Sequence, residues 1–205
     1  MYQDDKWNAV QGEELAGFLE QINPIDSKYK VKAESTEVHW RTLPFYETVA
    51  LIRVKDPNWG NNDLYVYYLT DQGNLFRLNG TSPPIHEVND KAPIKVTEEN
   101  VLDYLRFFCF FVRGEEGPFY VAETIEDPNM PEMDDTTRGV IEGIVAPAEF
   151  LGVNDKGHSL CKAVVFYSSA LFIANFAVQP SGMIEMLDDD PVVPDLPVKI
   201  NKPVS

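Results

Sequence analysis

The sequence predicts an α+β fold in which one or two antiparallel, curved sheets wrap on a buried central helix. Three observations predict it. The segment from Thr97 to Gly114, TEENVLDYLRFFCFFVRG, is the most apolar in the chain and carries a helix signal at each end. Runs of alternating apolar and polar residues, separated by turn-forming residues, stand on both sides of it and read as two meanders. With 205 residues, 44% hydrophobic and 12% aromatic, the chain has enough apolar material to enclose such a helix.

Thr97 is a suitable N-cap, Glu98 and Glu99 place negative charge at the positive end of the helix dipole, and Gly114 suits a left-handed C-terminal stop. Glu99, Asp103, Arg106 and Arg113 fall on one narrow polar stripe of a 3.6-residue period, which leaves the other faces apolar. Phe107, Phe108, Phe110 and Phe111 would each contribute about 1.5 to 3 kcal/mol if fully enclosed.

Ahead of this helix, Leu15, Phe18, Leu19 and Ile22 repeat at helical spacing, and Asn23-Pro24 ends the pattern. Alternation over Lys28 to Ala33 and again from Glu37 to Arg41 predicts strands, as do Tyr46 to Lys55, Leu64 to Thr70 and Leu75 to Leu78. Asp71-Gln72-Gly73-Asn74 closes the last two into a hairpin. Asn79 to Ala92, with Asn79-Gly80 and Pro83-Pro84, reads as a loop. After the helix, strands are predicted over Phe119 to Glu123, Val140 to Val145, Lys162 to Tyr167, Ala170 to Val178 and Met183 to Leu187. Pro180-Ser181-Gly182 turns the last pair. The expected organisation is a domain over 1–187, divisible into helix-plus-meander units 1–92 and 93–187. An acidic, Pro-rich tail over 188–205 follows it, extended unless it docks.

The formal charge of −16 is concentrated late in the chain, since residues 115–205 hold 16 acidic and 5 basic side chains. That distribution argues against nucleic-acid binding and against attraction to anionic membranes, both of which rest on Lys and Arg. The apolar run from Phe107 to Val112 is far shorter than the roughly 20 residues that span a bilayer. An N-terminus with acidic residues and no following apolar run does not read as a secretion signal, so a cytoplasmic protein is expected. Cys109 and Cys161 both lie in apolar segments and are expected to be reduced core thiols.

No phosphate-binding loop, dinucleotide fingerprint, nucleophile elbow or zinc-ligand spacing occurs, and no cofactor or metal is implied. His158 and Cys161, three apart on a strand, would point to opposite faces. His39 and His86 read as solvated or hydrogen-bonded side chains. Glu142, inside VIEGIV, is the one acid in an apolar context and would be buried and paired on a half-buried strand. Alternation in LYVYYLT puts some of Tyr65, Tyr67 and Tyr68 on an exposed face suited to protein recognition. These readings lead to a non-enzymatic interaction or regulatory protein, with toxin neutralisation as one concrete form. Its acidic C-terminal half would bind a basic partner through Glu132, Asp134, Asp135, Asp188, Asp189 and Asp190. The competing expectation is a ligand-binding domain or a hydrolase-type enzyme with a pocket between sheet and helix.

Overall fold

The structure is a computed structural model that describes residues 6–26, 28–60, 64–127 and 129–198. It is α+β: the described residues contain four α-helices, and the strands of each sheet pair antiparallel. Two compact units divide the chain between Pro93 and Ile94.

The first unit contains β1 (Asn8–Ala9), α1 (Gly12–Ile25), β2 (Glu37–Thr42), β3 (Ala50–Lys55), β4 (Val66–Asp71), β5 (Asn74–Leu78) and α2 (Pro83–Lys91). The five strands lie in sequence order in one sheet, so neighbours in the chain are neighbours in space. Leu19 and Ile22 of α1 join Val38, Ile52, Val54, Val66 and Tyr68 in a core on one sheet face. Leu51, Leu69 and Leu78 are buried on the other face, where Ile85 and Val88 of α2 are also buried.

Three expectations in this unit are corrected. The first helix runs through Pro24 to Ile25, its last turn closed by the Asp26 N–H on the Ile22 carbonyl at 2.9 Å. Lys28 to Ala33 is not a strand, although Tyr29 and Val31 are buried as the alternation requires. The side-chain amide of Asn23 donates to the Val31 carbonyl at 3.2 Å and accepts its N–H at 3.1 Å. Those are the groups a neighbouring strand would have paired, so one side chain stands in for a ladder. The loop expected over Asn79 to Ala92 holds α2, which begins at Pro83-Pro84. Proline is tolerated there because the first turn's N–H groups have no intrahelical partner.

The second unit contains α3 (Val101–Phe111), β6 (Arg113–Gly114), β7 (Gly117–Pro118), β8 (Tyr120–Val121), α4 (Asp135–Glu142), β9 (Glu149–Val153), β10 (Ser159–Tyr167), β11 (Ala170–Val178) and β12 (Ile184–Val193). β12, β11, β10 and β8 follow one another in a sheet, β9 also pairs with β10, and β6 and β7 form a small hairpin. α3 is the expected apolar helix, with seven of its residues buried, and within its unit it packs on β8, β9 and β7. The Tyr104 hydroxyl donates to the Gly182 carbonyl at 2.6 Å and ties the helix to the turn between β11 and β12.

The helix is shorter than its sequence signals. Asn100 flanks it and accepts the Thr97 N–H through Oδ1 at 2.8 Å, while Val112 ends it. Gly114 is not the stop but part of β6, and glycine is needed there because a Cβ would lie 2.3 Å from the Tyr167 hydroxyl. The strand expected over Val140 to Val145 is also wrong: Asp135–Glu142 is helical, with Thr137 and Ile141 buried one turn apart. Glu142 is consequently exposed rather than buried on a strand. β9 had no counterpart in the sequence reading, and Asp188, Asp189 and Asp190 lie within β12 rather than in a tail. Leu196 docks: it is 8% exposed, packs with Phe166 and Leu171, and donates its N–H to the Ser169 carbonyl at 2.6 Å. The expected tail beyond 198 lies outside the described residues.

Phe107 is fully buried, whereas Phe108 retains some exposure. Phe107→Ala is therefore expected to cost about 3 to 5 kcal/mol in chemical denaturation, and Phe108→Ala clearly less. Equal losses would contradict the orientation of α3.

Candidate functional site

A groove lies in the first unit, where β5 is the last strand of its sheet. Gln21 and Ile25 of α1 form one wall, Pro84, Glu87 and Lys91 of α2 form the other, and Gly73 to Arg77 lie between them. The volume is about 540 Å³, within the span of about 300 to 1,000 Å³ usual for ligand clefts. Each wall follows from spacing. Gln21 and Ile25 are four apart, and Pro84, Glu87 and Lys91 are three and four apart, so each set makes one stripe of its helix.

The polar groups of this groove are mutually balanced. Lys91 Nζ meets Glu87 Oε1 at 2.7 Å and stands 4.7 Å from the centre of the Phe76 ring. Arg77 Nε lies 2.8 Å from Asp26 Oδ2, an ion pair whose N–H is not aimed at the oxygen. Asp26 also accepts the N–H groups of Lys28 and Tyr29, at 3.0 and 3.1 Å. The turn into β5 has Gln72 and Gly73 at φ of 45° and 83°, the two left-handed residues of a two-residue hairpin.

A second polar cluster lies in the other unit. Arg106 Nε and Nη2 donate to the two carboxylate oxygens of Glu123 at 2.7 and 2.8 Å, and Ala148 N–H adds a bond to Oε1 at 2.9 Å. Asp103 holds the remaining side of the guanidinium at 2.9 Å. Burial pushes the Glu123 carboxyl up, but the Arg106 and Ala148 bonds outweigh it and hold it below its ordinary value. The cavity that Arg106, Tyr120, Glu123 and Asp127 line is about 20 Å³, room for about one water. The cluster therefore clamps α3 to the segment after β8 and is not a substrate pocket.

Because Glu123 titrates lower when folded, its contribution is complete above the unfolded carboxyl range and is lost as pH falls through the folded value. Glu123→Gln is expected to cost about 1.5 to 3 kcal/mol at pH 7, with the gap to the parent closing in acid. A loss that does not change with pH would contradict the pairing.

The residues expected to bind a basic partner all lie in the second unit, and all six are exposed. Asp134 is the N-cap of α4, its Oδ1 accepting the Thr137 N–H at 2.7 Å, and Asp135 opens the first turn. Asp188 accepts Asn175 Nδ2 at 2.7 Å across the ladder. Asp188 and Asp190 pair with Asn175 and Ile173, on the sheet face whose core takes in Ile173, Met133 and Ile141. Asp189, opposite Ala174, faces the other way. Glu132, Asp134 and Asp135 adjoin Met133 and α4, so these three, with Asp188 and Asp190, border one hydrophobic cluster.

Of the three tyrosines, some of which were expected on an exposed face, two are buried and the third is only partly exposed. Tyr67 and Tyr68 are 5% and 0% exposed, and Tyr65 is half-buried with the Arg53 guanidinium 5.4 Å from its ring centre. Burial and Arg53, paired across the ladder, hold the His39 imidazole below its ordinary value. Among the described residues, no group of three or more His, Cys, Asp or Glu is placed to hold a metal ion. No described helix is long and apolar enough to cross a membrane. No family model, curated protein or solved structure matches the chain.

Cys109 and Cys161 are buried free thiols, and burial pushes them up to about 12 and about 11. Labelling of the native protein by a thiol reagent at pH 7 should be slow and should accelerate on unfolding. Rapid native labelling would contradict this burial.

Proposed function

We propose that this protein acts by binding other proteins, and that its second unit presents an acidic surface to a basic partner. One observation carries the reading: the six acids are exposed, and all but Asp189 border a single hydrophobic cluster, so they share a rigid support. A run of acids on a strand and at a helix start is held in fixed register, which lets its field steer an approaching cation-rich surface. The two buried free thiols support the cytoplasmic location that goes with this reading.

The test neutralises Glu132, Asp134, Asp135, Asp188, Asp189 and Asp190 together, as Gln or Asn. Asn preserves an N-cap acceptor at 134 and a polar partner for Asn175 at 188. Stability should change by less than about 0.5 kcal/mol. Association with a basic protein captured from the native host should slow most at low ionic strength, and the deficit should shrink as salt rises. Equal association rates at low salt would overturn the proposal.

A further inference from the structure

We propose that the groove beside β5 receives an extended segment of a partner protein by strand addition, and that this segment is uncharged with apolar residues at alternate positions. This stands apart from the acidic surface, since it concerns the other unit and a partner of different chemistry.

The first argument is main-chain hydrogen bonding. In the two-residue hairpin, Asp71 and Asn74 are the closing pair, so the narrow pairs are Asp71–Asn74, Leu69–Phe76 and Tyr67–Leu78. Leu75 and Arg77 occupy the wide pairs and turn their N–H and C=O groups to the open edge. Those four groups specify an occupant with main-chain donors and acceptors at a spacing of two residues, which is an extended peptide.

The second argument is that this edge is left undefended. β12, the terminal strand in the other unit, carries Asp188, Asp189, Asp190 and Pro191 and has two irregularities in its register. Those are the devices that discourage edge pairing. β1 is only two residues long. β5 has five residues in unbroken register, no proline, and one charge that is already paired with Asp26.

The third argument is the chemistry of the walls. An added strand places alternate side chains towards α1 and towards α2. On the α1 side they meet Leu75 and Ile25, the latter 45% exposed. On the α2 side they meet Phe76, Pro84 and the Glu87–Lys91 pair. With Asp26 against Arg77 and Glu87 against Lys91, the walls carry no net charge in a protein of −16, so they complement a neutral segment rather than a basic one. Helices on both sides of the edge also favour a lone strand over a second copy, whose own helices would meet these walls.

The experiment uses the full chain, isotope-labelled, with an uncharged seven-residue peptide alternating Val with Thr or Ser. The expected result is that the amide resonances of Leu75 and Arg77 shift and their hydrogen exchange slows by about tenfold or more. N-methylating the peptide at the pairing positions should abolish this, since the donors are gone. Ile25→Glu, at an exposed position and with its fold checked by unchanged amide resonances in the core of the first unit, should weaken binding by about tenfold or more. The proposal is overturned if Leu75 and Arg77 do not respond to millimolar peptide, or if the N-methylated peptide binds as well. Tighter binding of a lysine-substituted peptide would also overturn it, as would a response of the same amides to protein concentration without peptide, which would indicate self-pairing.

Discussion

The first unit depends on one buried carboxylate. Asp26, whose side chain is 2% exposed, takes two backbone N–H groups just after α1 and an ion pair from Arg77 on β5. A carboxylate so deeply buried needs polar partners, and here they tie the end of α1 to β5. It fixes where α1 ends, which way the chain leaves it, and how β5 sits against that helix. Asn23, three residues earlier, finishes the same task by occupying the backbone groups of Val31. The wall that α1 contributes to the groove therefore rests on polar contacts as well as on the apolar core.

The second unit solves a different problem. Its most apolar helix ends only nine residues before β8 begins, and the chain must reverse in between. Gly114 allows this because the space its side chain would need is filled by Tyr167, whose hydroxyl accepts the Glu116 N–H at 3.1 Å. The Tyr167 ring stacks on Phe119 with centres 4.4 Å apart. One aromatic side chain from β10 thus satisfies a backbone donor, fills a glycine's space and packs the approach to β8. The Arg106–Glu123 pair then fixes the segment beyond β8 to α3, so the sheet and the helix are joined on both sides of the turn.

Much of this architecture was legible because it rests on periodicity. The hairpin at Gln72-Gly73, the strand Ala170–Val178 and the apolar α3 all follow from apolar spacing with turn residues between. What was not legible depends on contacts between residues distant in the chain or on competing local signals. Lys28 to Ala33 alternates like a strand, yet Asn23 provides its bonds. VIEGIV has the composition of a strand, yet Asp134 caps a helix that runs into it. Pro83-Pro84 looked like a loop because proline breaks helices, but at a helix start it does the opposite. The groove was invisible for a plainer reason: no residue in it is chemically unusual, and only the fold shows that α1 and α2 flank the same strand.

The acids of the second unit also divide once their contacts are known. Asp134 and Asp188 serve the fold as a cap and as a ladder partner, while Glu132, Asp135, Asp189 and Asp190 have exposed carboxylates on the same rigid elements. Exposed acids on a strand repel another strand's approach, and Pro191 removes a donor from the same edge, so β12 repels pairing by the same residues that give it a field. β5 is the opposite case, with main-chain groups at the edge and paired charges on its flanks. A surface that acts at a distance needs unpaired charge and loses strength in salt. One that acts through the main chain needs its charges neutralised, so that desolvating the edge costs little. The two units of this chain keep these opposed features apart, because each builds its own sheet with its own terminal strand.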